Sequence, residues 1–173
     1  MQRKSLVNAE CPVARGLERV GEWWSILIMR DALQGLRRFD EFSQSLDIAP
    51  NMLTRRLNTL VEGGLLERRR YSERPPRFEY VPTPAGEDFR IVIMAFVGWG
   101  NRHFAPEGES LQMVDAATAR PVAVAVVDVA QGAIVPMEQC RVRAGPAASE
   151  GMLERLALIH TKRSEIDPSS CTA

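Results

Sequence analysis

Hydrophobic positions recur at helical spacing through the first hundred residues. Residues 11–21 place proline near the start and close on glycine, which is the usual asymmetry of a short helix. Residues 23–33 are apolar on nearly every side, so they predict a helix that is buried on more than one face. Residues 39–46 repeat apolar side chains at i, i+3 and i+7. The pattern therefore predicts three successive helices before residue 50.

A fourth helix is predicted over residues 50–62, and its two faces differ in chemistry. Leu53, Leu57 and Leu60 form an apolar stripe with Val61. The opposite face carries side chains that form hydrogen bonds or bear positive charge: Asn51, Thr54, Arg55, Asn58 and Thr59, with Arg56 at the flank. A helix with such a face has the size and the chemistry to enter the major groove of DNA.

A basic β-hairpin is predicted after this helix. Residues 65–71 and 78–81 are typical of two strands, the first of which carries three consecutive arginines. The prolines between them cannot continue a ladder because proline lacks an N–H donor, so we expect a long, stiff, cationic tip. The candidate contacts with phosphates or with the minor groove are Arg69, Arg74 and Arg77. The alternative for these arginines is ion pairing with the neighbouring glutamates.

Thr83 and Pro84 predict the start of a further helix that runs to Phe104. Threonine suits the N-cap and proline the first helical position. Apolar side chains lie on two faces of this helix, so it needs two partners. One partner is its own core, and we expect the other to be a second copy of the chain.

The order helix, helix, short break, helix and basic hairpin is that of a winged helix-turn-helix. The residues that carry a closer resemblance are 11–13, 38–39, 50–57, 64–68 and 71–80, followed by Thr-Pro-Ala-Gly at 83–86. They resemble the HxlR family of bacterial transcriptional regulators over about residues 8–104. The resemblance implies a homodimer of MarR-like winged helices that acts at palindromic operators, with Asn51, Thr54, Arg55 and Arg56 facing DNA.

One position departs from that family's pattern. The residue before Pro50 often carries a hydroxyl N-cap in such proteins, and here it is Ala49. A missing cap typically costs about 1 kcal/mol, so the fold is expected to survive without it.

Cys11 is a candidate redox or electrophile sensor. A thiol just before a helix start lies near backbone N–H groups that lower its pKa, and Arg15 would add to this effect while Glu10 would oppose it. Some HxlR-type regulators are similar at this position and use an N-terminal cysteine in this way. The alternative is a small packed residue near the dimer interface.

The pattern changes to β in the last third of the chain. Candidate strands cover 111–115, 121–128 and 133–143, and a self-similarity with an offset of 13 residues predicts two hairpin-like units. Ser149 is expected to cap a last helix. The predicted architecture is thus α+β: a winged helix-turn-helix DNA-binding and dimerisation domain with a small β-rich C-terminal appendage. Its predicted parts are the domain at 1–104, a linker at 105–110, the appendage with its helix at 111–162 and a disordered tail at 163–173.

Charge and composition narrow the function further. The net charge is zero, but residues 1–104 hold 16 Lys and Arg against 13 Asp and Glu, while residues 105–173 hold 6 against 9. This asymmetry agrees with a part that binds a polyanion. No stretch approaches the roughly 18 apolar residues of a membrane span, and the N-terminus lacks the apolar core of a secretory signal. The three cysteines are scattered, so we expect a reducing, cytoplasmic setting.

The sequence predicts no catalytic grouping, no metal site and no cofactor, because no nucleophile–base grouping, paired carboxylates or phosphate-binding loop is present. The expected function is a sequence-specific DNA-binding transcriptional regulator that acts as a homodimer on a palindromic operator. Its expected partners are double-stranded DNA and itself, and its signal is either a redox or electrophilic agent or a small-molecule effector. The alternative is a winged-helix module that binds protein and not DNA.

Overall fold

The four predicted helices are all present in the computed structural model, which describes residues 5–166. They are α1 (Pro12–Val20), α2 (Trp23–Leu33), α3 (Phe39–Leu46) and α4 (Pro50–Glu62). The elements that follow are β1 (Leu66–Glu73), β2 (Pro76–Pro82), α5 (Pro84–Asp88), α6 (Arg90–Phe104), β3 (Val126–Val127), β4 (Ile134–Val135), a short 3₁₀ helix (Met137–Gln139) and α7 (Glu150–Ile166).

The hydrophobic core surrounds α2. Ile28, Met29 and Ala32 are completely buried, which confirms that this helix packs on more than one side. α3 contributes Phe42, and α4 contributes the leucines of its apolar stripe, all fully buried. The remaining buried apolar residues come from the ends of α1 and α2, the α3–α4 turn, the wing with the residue before it, and α6: Val20, Leu33, Ile48, Leu65, Leu66, Tyr80 and Ile93.

The wing is a regular two-stranded hairpin with a tight turn. β1 pairs antiparallel with β2, from Leu66 opposite Pro82 to Glu73 opposite Pro76, with an irregularity between Arg70 and Ser72. The prediction of a long, stiff tip is therefore wrong, because only residues 74 and 75 form the turn. Pro76 is tolerated because it is the first residue of its strand, where proline's missing N–H is least costly.

A short backbone contact before α3 extends the wing sheet and was not predicted. Arg38 forms an isolated antiparallel bridge with Glu79, and the Tyr80 amide donates to the Arg37 carbonyl at 2.7 Å. The wing is thus joined to the helical part from the α3 side. No hydrophobic alternation marks this contact, since only Arg37 and Arg38 pair with the wing.

Thr83 and Gly86 close the wing against the helices. The Thr83 hydroxyl donates to the Gly64 carbonyl at 2.6 Å and accepts from the Gly86 amide at 3.1 Å. A Cβ atom at position 86 would lie 2.1 Å from the Leu65 carbonyl oxygen, so only glycine fits there. The close packing of Gly86 against Leu65 thus explains why glycine ends the Thr-Pro-Ala-Gly segment.

The single helix expected from Thr83 to Phe104 is in fact two. α5 ends at Asp88, and the Phe89 amide bonds the Gly86 carbonyl at 3.2 Å in a tighter turn. Phe89 packs against the core at this junction, which redirects the chain into α6. The predicted N-cap is confirmed, because the Thr83 side chain accepts from the first turn of α5.

The C-terminal appendage contains less regular sheet than predicted. Of the candidate strands only β3 and β4 pair, and Val114 forms a single bridge with Pro121. A ladder needs a neighbouring strand, and each unit here is an isolated hairpin that no third strand extends. The last helix is longer than expected, because α7 runs to Ile166 and includes residues 163–166 of the predicted disordered tail. The rest of that predicted tail, 167–173, lies outside the described residues.

The predicted 13-residue repeat is confirmed by its hydrogen bonds. Asp115 donates its amide to the Arg120 carbonyl at 2.9 Å, and Asp128 donates to the Ala133 carbonyl at 2.8 Å. In each unit the aspartate Oδ1 also accepts from the amides two and three residues later, at 2.7–3.1 Å. Aspartate favours such turns because its side chain bonds the backbone just ahead of it.

Candidate nucleic-acid interface

α4 presents its predicted polar face to the outside of the molecule. Asn51, Thr54, Arg55 and Asn58 are all exposed. The leucines on the opposite face are completely buried, and they fix the rotation of the helix about its axis. The 13 residues of α4 span about 20 Å, enough to lie along several base pairs of a major groove.

Two of these polar side chains are held by their own backbone, and two are not. The Thr54 hydroxyl donates to the Pro50 carbonyl at 2.8 Å, and Asn51 Oδ1 accepts from the Met52 amide at 2.8 Å. Within residues 5–166, Arg55 and Asn58 make no side-chain hydrogen bond or ion pair. Their donors are therefore available to a ligand.

The prediction that Arg56 faces DNA is wrong. Arg56 is 8% exposed and forms an ion pair with Glu22, the N-cap residue of α2. It therefore does not lie on the outer face beside Arg55. The apolar stripe alone left Arg56 at the flank, and the position of Glu22 at the α1–α2 junction decides to which side its long side chain turns. Arg56 thus links α4 to the start of α2.

The wing carries its free cations at the turn. Arg74 and Arg77 are exposed, and neither makes an ion pair or side-chain hydrogen bond among the described residues. Arg69 is different, because its guanidinium lies 2.9 Å from Glu67 Oε2. The hydrogen bond to Glu67 raises the pKa of Arg69, and the same bond lowers the pKa of Glu67. Arg70, on the same strand, lies 3.1 Å from Glu73 Oε2, so the alternative of ion pairing is realised for both Arg69 and Arg70.

Two further arginines near the wing were not singled out from the sequence. The guanidinium of Arg68 lies 3.6 Å from the centre of the Phe78 ring, and that of Arg38 lies 4.7 Å from the centre of the Tyr71 ring. Stacking on an aromatic face restrains a guanidinium without neutralising it. Alternation along the paired strands would have placed Arg68 and Phe78 on one face, but the contact of Arg38 needs the unpredicted bridge to Glu79.

Cys11 occupies the N-cap position of α1 and is half-buried. The backbone amides of Ala14 and Val13 lower the pKa of its thiol, with smaller contributions from Arg155 on α7 and from Arg15, while desolvation opposes them. No cap hydrogen bond of full geometry joins the thiol to the helix. The direction agrees with the expectation from helix position, and the contribution of Arg155 could not be foreseen because it comes from the appendage.

α1 and α6 leave most of their apolar side chains uncovered. On α6 only Ile93 is buried, while Phe96, Trp99 and Phe104 are about half exposed or more. Trp99 makes edge contacts with both of these phenylalanines, at centroid distances of 6.2 and 4.8 Å. On α1, Val13 and Leu17 are 69% and 53% exposed. The apolar faces of the two helices are thus open in the single chain.

Other kinds of site are not visible in the part of the chain that the structure describes. Over residues 5–166 no group of three or more His, Cys, Asp and Glu side chains is arranged to hold a metal ion. None of the helices in that range has the length and apolar character needed to cross a membrane.

The comparison with protein families decides the assignment. The model of the HxlR-like helix-turn-helix matches residues 19–108, just over half of the chain. The chain belongs to the HxlR family. The resemblance suggested by the wing and the Thr-Pro-Ala-Gly segment is therefore confirmed, and with it the winged helix-turn-helix fold.

Individual relatives agree with this HxlR assignment. An HTH-type transcriptional regulator of Mycobacterium tuberculosis is 42% identical over 102 residues, which cover 58% of this chain and 65% of that relative. The match thus spans less than two thirds of the relative's length. A solved structure of a candidate transcription factor from Pseudomonas aeruginosa is 70% identical, with a TM-score of 0.65, and covers 84% of this chain and 99% of that one. This second match extends into the appendage.

A third similar structure is the redox regulator HypR in its reduced form. It is 29% identical, has a TM-score of 0.51, and covers 56% of this chain and 99% of its own. The HxlR-like chain described here is therefore a member of a family of transcriptional regulators.

Proposed function

We propose that this HxlR-family chain binds double-stranded DNA in a sequence-specific manner, as a homodimer on a palindromic operator. The observation that carries the proposal is the two-faced α4. One face is locked into the core, and the other presents Arg55 and Asn58 with unused hydrogen-bond donors. Arginine and asparagine are side chains that read base edges in the major groove.

The wing supplies a second set of contacts in this proposal. Arg74 and Arg77 at the turn bind phosphates next to the site that α4 reads, or enter the adjacent minor groove. Arg69 contributes less, because contact with DNA would compete with its ion pair to Glu67. Phosphate contacts position the protein, whereas the contacts of α4 provide the specificity.

The homodimer forms through α1 and α6. A monomer that left Val13, Leu17, Phe96 and Trp99 exposed would keep an unusually large apolar surface in water. A second copy that packs on these helices removes that surface and relates two α4 helices by a two-fold axis. Such an arrangement reads an inverted repeat with half-sites about one helical turn apart.

Selection from a random pool of DNA duplexes tests this proposal. Reduced protein is mixed with the pool at physiological salt, and the retained duplexes are sequenced. We expect an inverted repeat with the half-site spacing stated above. Retention of a single, unrepeated motif would contradict the symmetric dimer. A pool enriched in nothing, with an unbroken dimer in solution, would favour the alternative of a module that binds protein.

We also propose that Cys11 senses oxidants or electrophiles. The specific observation is the lowered pKa of its thiol at the start of α1, beside the apolar face assigned to the dimer. The thiolate is the reactive form: its sulfur attacks one oxygen of hydrogen peroxide, the O–O bond breaks, and a sulfenic acid forms while hydroxide leaves. The likeness to the redox regulator HypR agrees with such a role.

Peroxide treatment followed by DNA binding tests the Cys11 proposal. We expect the affinity of the parent protein for its selected duplex to change with peroxide, and that of Cys11→Ser to stay constant. Cys140→Ser is the matched control, because Cys140 is also half-buried but lies in the appendage. An equal response of Cys11→Ser and the parent would contradict the sensor.

A further inference from the structure

A cavity of about 600 Å³ lies between α6 and the appendage. Ile91, Met94 and Val97 of α6 form one wall, and the two hairpin units form the other, including Val122 and Val124. None of the residues that line the cavity belongs to α4. Its volume falls in the range of about 300–1,000 Å³ that is typical of small-molecule sites.

The described residues that line the cavity are mainly apolar and include no charged side chain. The polar side chains among them are those of Gln34, just after α2, and of Gln112. The amide nitrogen of Gln112 is already engaged, because it donates to Glu109 at 2.9 Å. Gln34 makes no side-chain hydrogen bond among the described residues. A charged ligand would lose its hydration here without gaining a partner, whereas a neutral ligand would not.

A hydrogen bond at the edge of the cavity ties its two walls together. Asn101 of α6 donates its side-chain amide to the carbonyl of Leu111 at 2.8 Å. This bond holds the start of the appendage against α6, while the walls on either side remain apart. Ile91 and Val122, which face the cavity, are 58% and 49% exposed. A ligand of matching size would cover apolar surface that the chain itself leaves in water.

We infer that this cavity binds a neutral, apolar small molecule, of about the size of two fused or linked rings, with one polar group directed at Gln34. This cavity would be the site of the small-molecule signal. Only that regulatory use rests on the proposed function. Binding to the cavity is independent of DNA, and the ligand joins α6 to the appendage. Because α6 also carries the proposed dimer face, occupancy and dimer geometry share one helix.

Titration of the full chain with the neutral dye N-phenyl-1-naphthylamine tests this inference without DNA. We expect one dye per chain, with a rise in fluorescence as the dye leaves water. Val97→Arg places a charge in the α6 wall, and Val124→Arg places one in the opposite wall. Each is expected to weaken dye binding about tenfold or more. Val129→Arg is the matched control, because Val129 is fully exposed in the appendage and does not line the cavity.

The outcomes separate this inference from the proposed function. Dye binding that is unchanged in both Val97→Arg and Val124→Arg, with circular dichroism like the parent, overturns it. So does a parent that binds no dye. Dye binding that disappears as the protein concentration rises into the dimer range would mean that a second copy fills the cavity. None of these results bears on whether the parent retains an inverted repeat from the duplex pool.

Discussion

The winged-helix domain and the appendage follow each other in one chain but are stabilised in different ways. Among the described residues, the 14 buried hydrophobic side chains of the core all lie between Val20 and Ile93. In contrast, none of the residues 105–163 is buried. The appendage has turns that satisfy their own hydrogen bonds, but most of its large apolar side chains remain exposed, for example Val129 at 101% and Ile134 at 73%.

A segment can thus have regular local hydrogen bonds without burying its apolar side chains. The two hairpin units and the start of α7 are specified by short-range hydrogen bonds, in which the side chains of Asp115, Asp128 and Ser149 accept from nearby backbone amides. Such bonds contribute little net stability in water, whereas burial of apolar surface dominates folding. The winged-helix part is therefore stabilised by its own buried core, whereas the appendage is covered by α6 in part, by the N-terminal segment through Glu10 and, in our proposals, by a ligand.

The largest effect is expected from Phe42→Ala in the core. Phe42 is completely buried, so its loss leaves a cavity and should lower the free energy of unfolding by about 3–5 kcal/mol. Ile134→Ala in β4 is the matched change in the appendage, and it should stay within about 0.5 kcal/mol of the parent. Urea unfolding followed by circular dichroism measures both. If both variants lost the same free energy of unfolding, the two regions would not differ in how burial stabilises them.

A smaller effect is expected from Arg56→Ala, which separates two neighbouring arginines of α4. The Arg56 side chain is 10% exposed and its partner Glu22 is 38% exposed. Removal of a partner from a fully buried pair costs about 3–5 kcal/mol, and the half-exposed Glu22 should reduce this to about 1–3 kcal/mol. Arg55→Ala is the control and should unfold within about 0.5 kcal/mol of the parent. If Arg55→Ala were the more destabilised of the two, the assigned rotation of α4 would be wrong.

The smallest effect concerns the link between the N-terminal segment and α7. Glu10 accepts from the Ser149 amide at 2.6 Å and from its hydroxyl at 2.5 Å, and these bonds lower the pKa of Glu10 below its usual 4.5. A carboxylate with a depressed pKa stabilises the fold above its unfolded-state pKa, and this contribution is lost as the pH falls through the folded value. The link should therefore persist at neutral pH and open only in acid, at a pH lower than the usual pKa of a glutamate.

Nuclear magnetic resonance of the Ser149 amide reports on this link. Its proton should lie downfield at pH 7 and shift upfield as Glu10 is protonated in acid. Glu10→Gln should lack the acid transition, and Glu109→Gln, elsewhere on the surface, should keep it. A Ser149 resonance that does not depend on pH in the parent would refute the link.

The domain could be predicted closely because its signals are local and mutually consistent. The apolar stripe of α4, with proline at its start and glycine after its end, placed that helix from Pro50 to Glu62, as observed. The 13-residue repeat likewise located both hairpin units, because identical aspartate turns recur at that spacing.

The misses share a different cause, since each depends on contacts between distant parts of the chain. Arg56 turns inward because Glu22 lies behind α4, and no local pattern records that neighbour. Phe89 interrupts the expected helix because it packs on the core. In the appendage, valine alternates with alanine and so favours strands, but alternation leads to a ladder only where a neighbouring strand exists.

We propose above all that the outer face of α4 and the tip of the wing form one DNA-binding surface. The most direct test is to titrate the selected duplex, and a scrambled one, with the parent, Arg55→Ala and Arg74→Ala at several salt concentrations, using fluorescence anisotropy. Arg55→Ala should lose about 1–3 kcal/mol of affinity for the selected duplex and discriminate less between the two. Arg74→Ala should weaken both duplexes alike and reduce the salt slope by about 1. Affinities and salt slopes equal to those of the parent in both variants would contradict the claim.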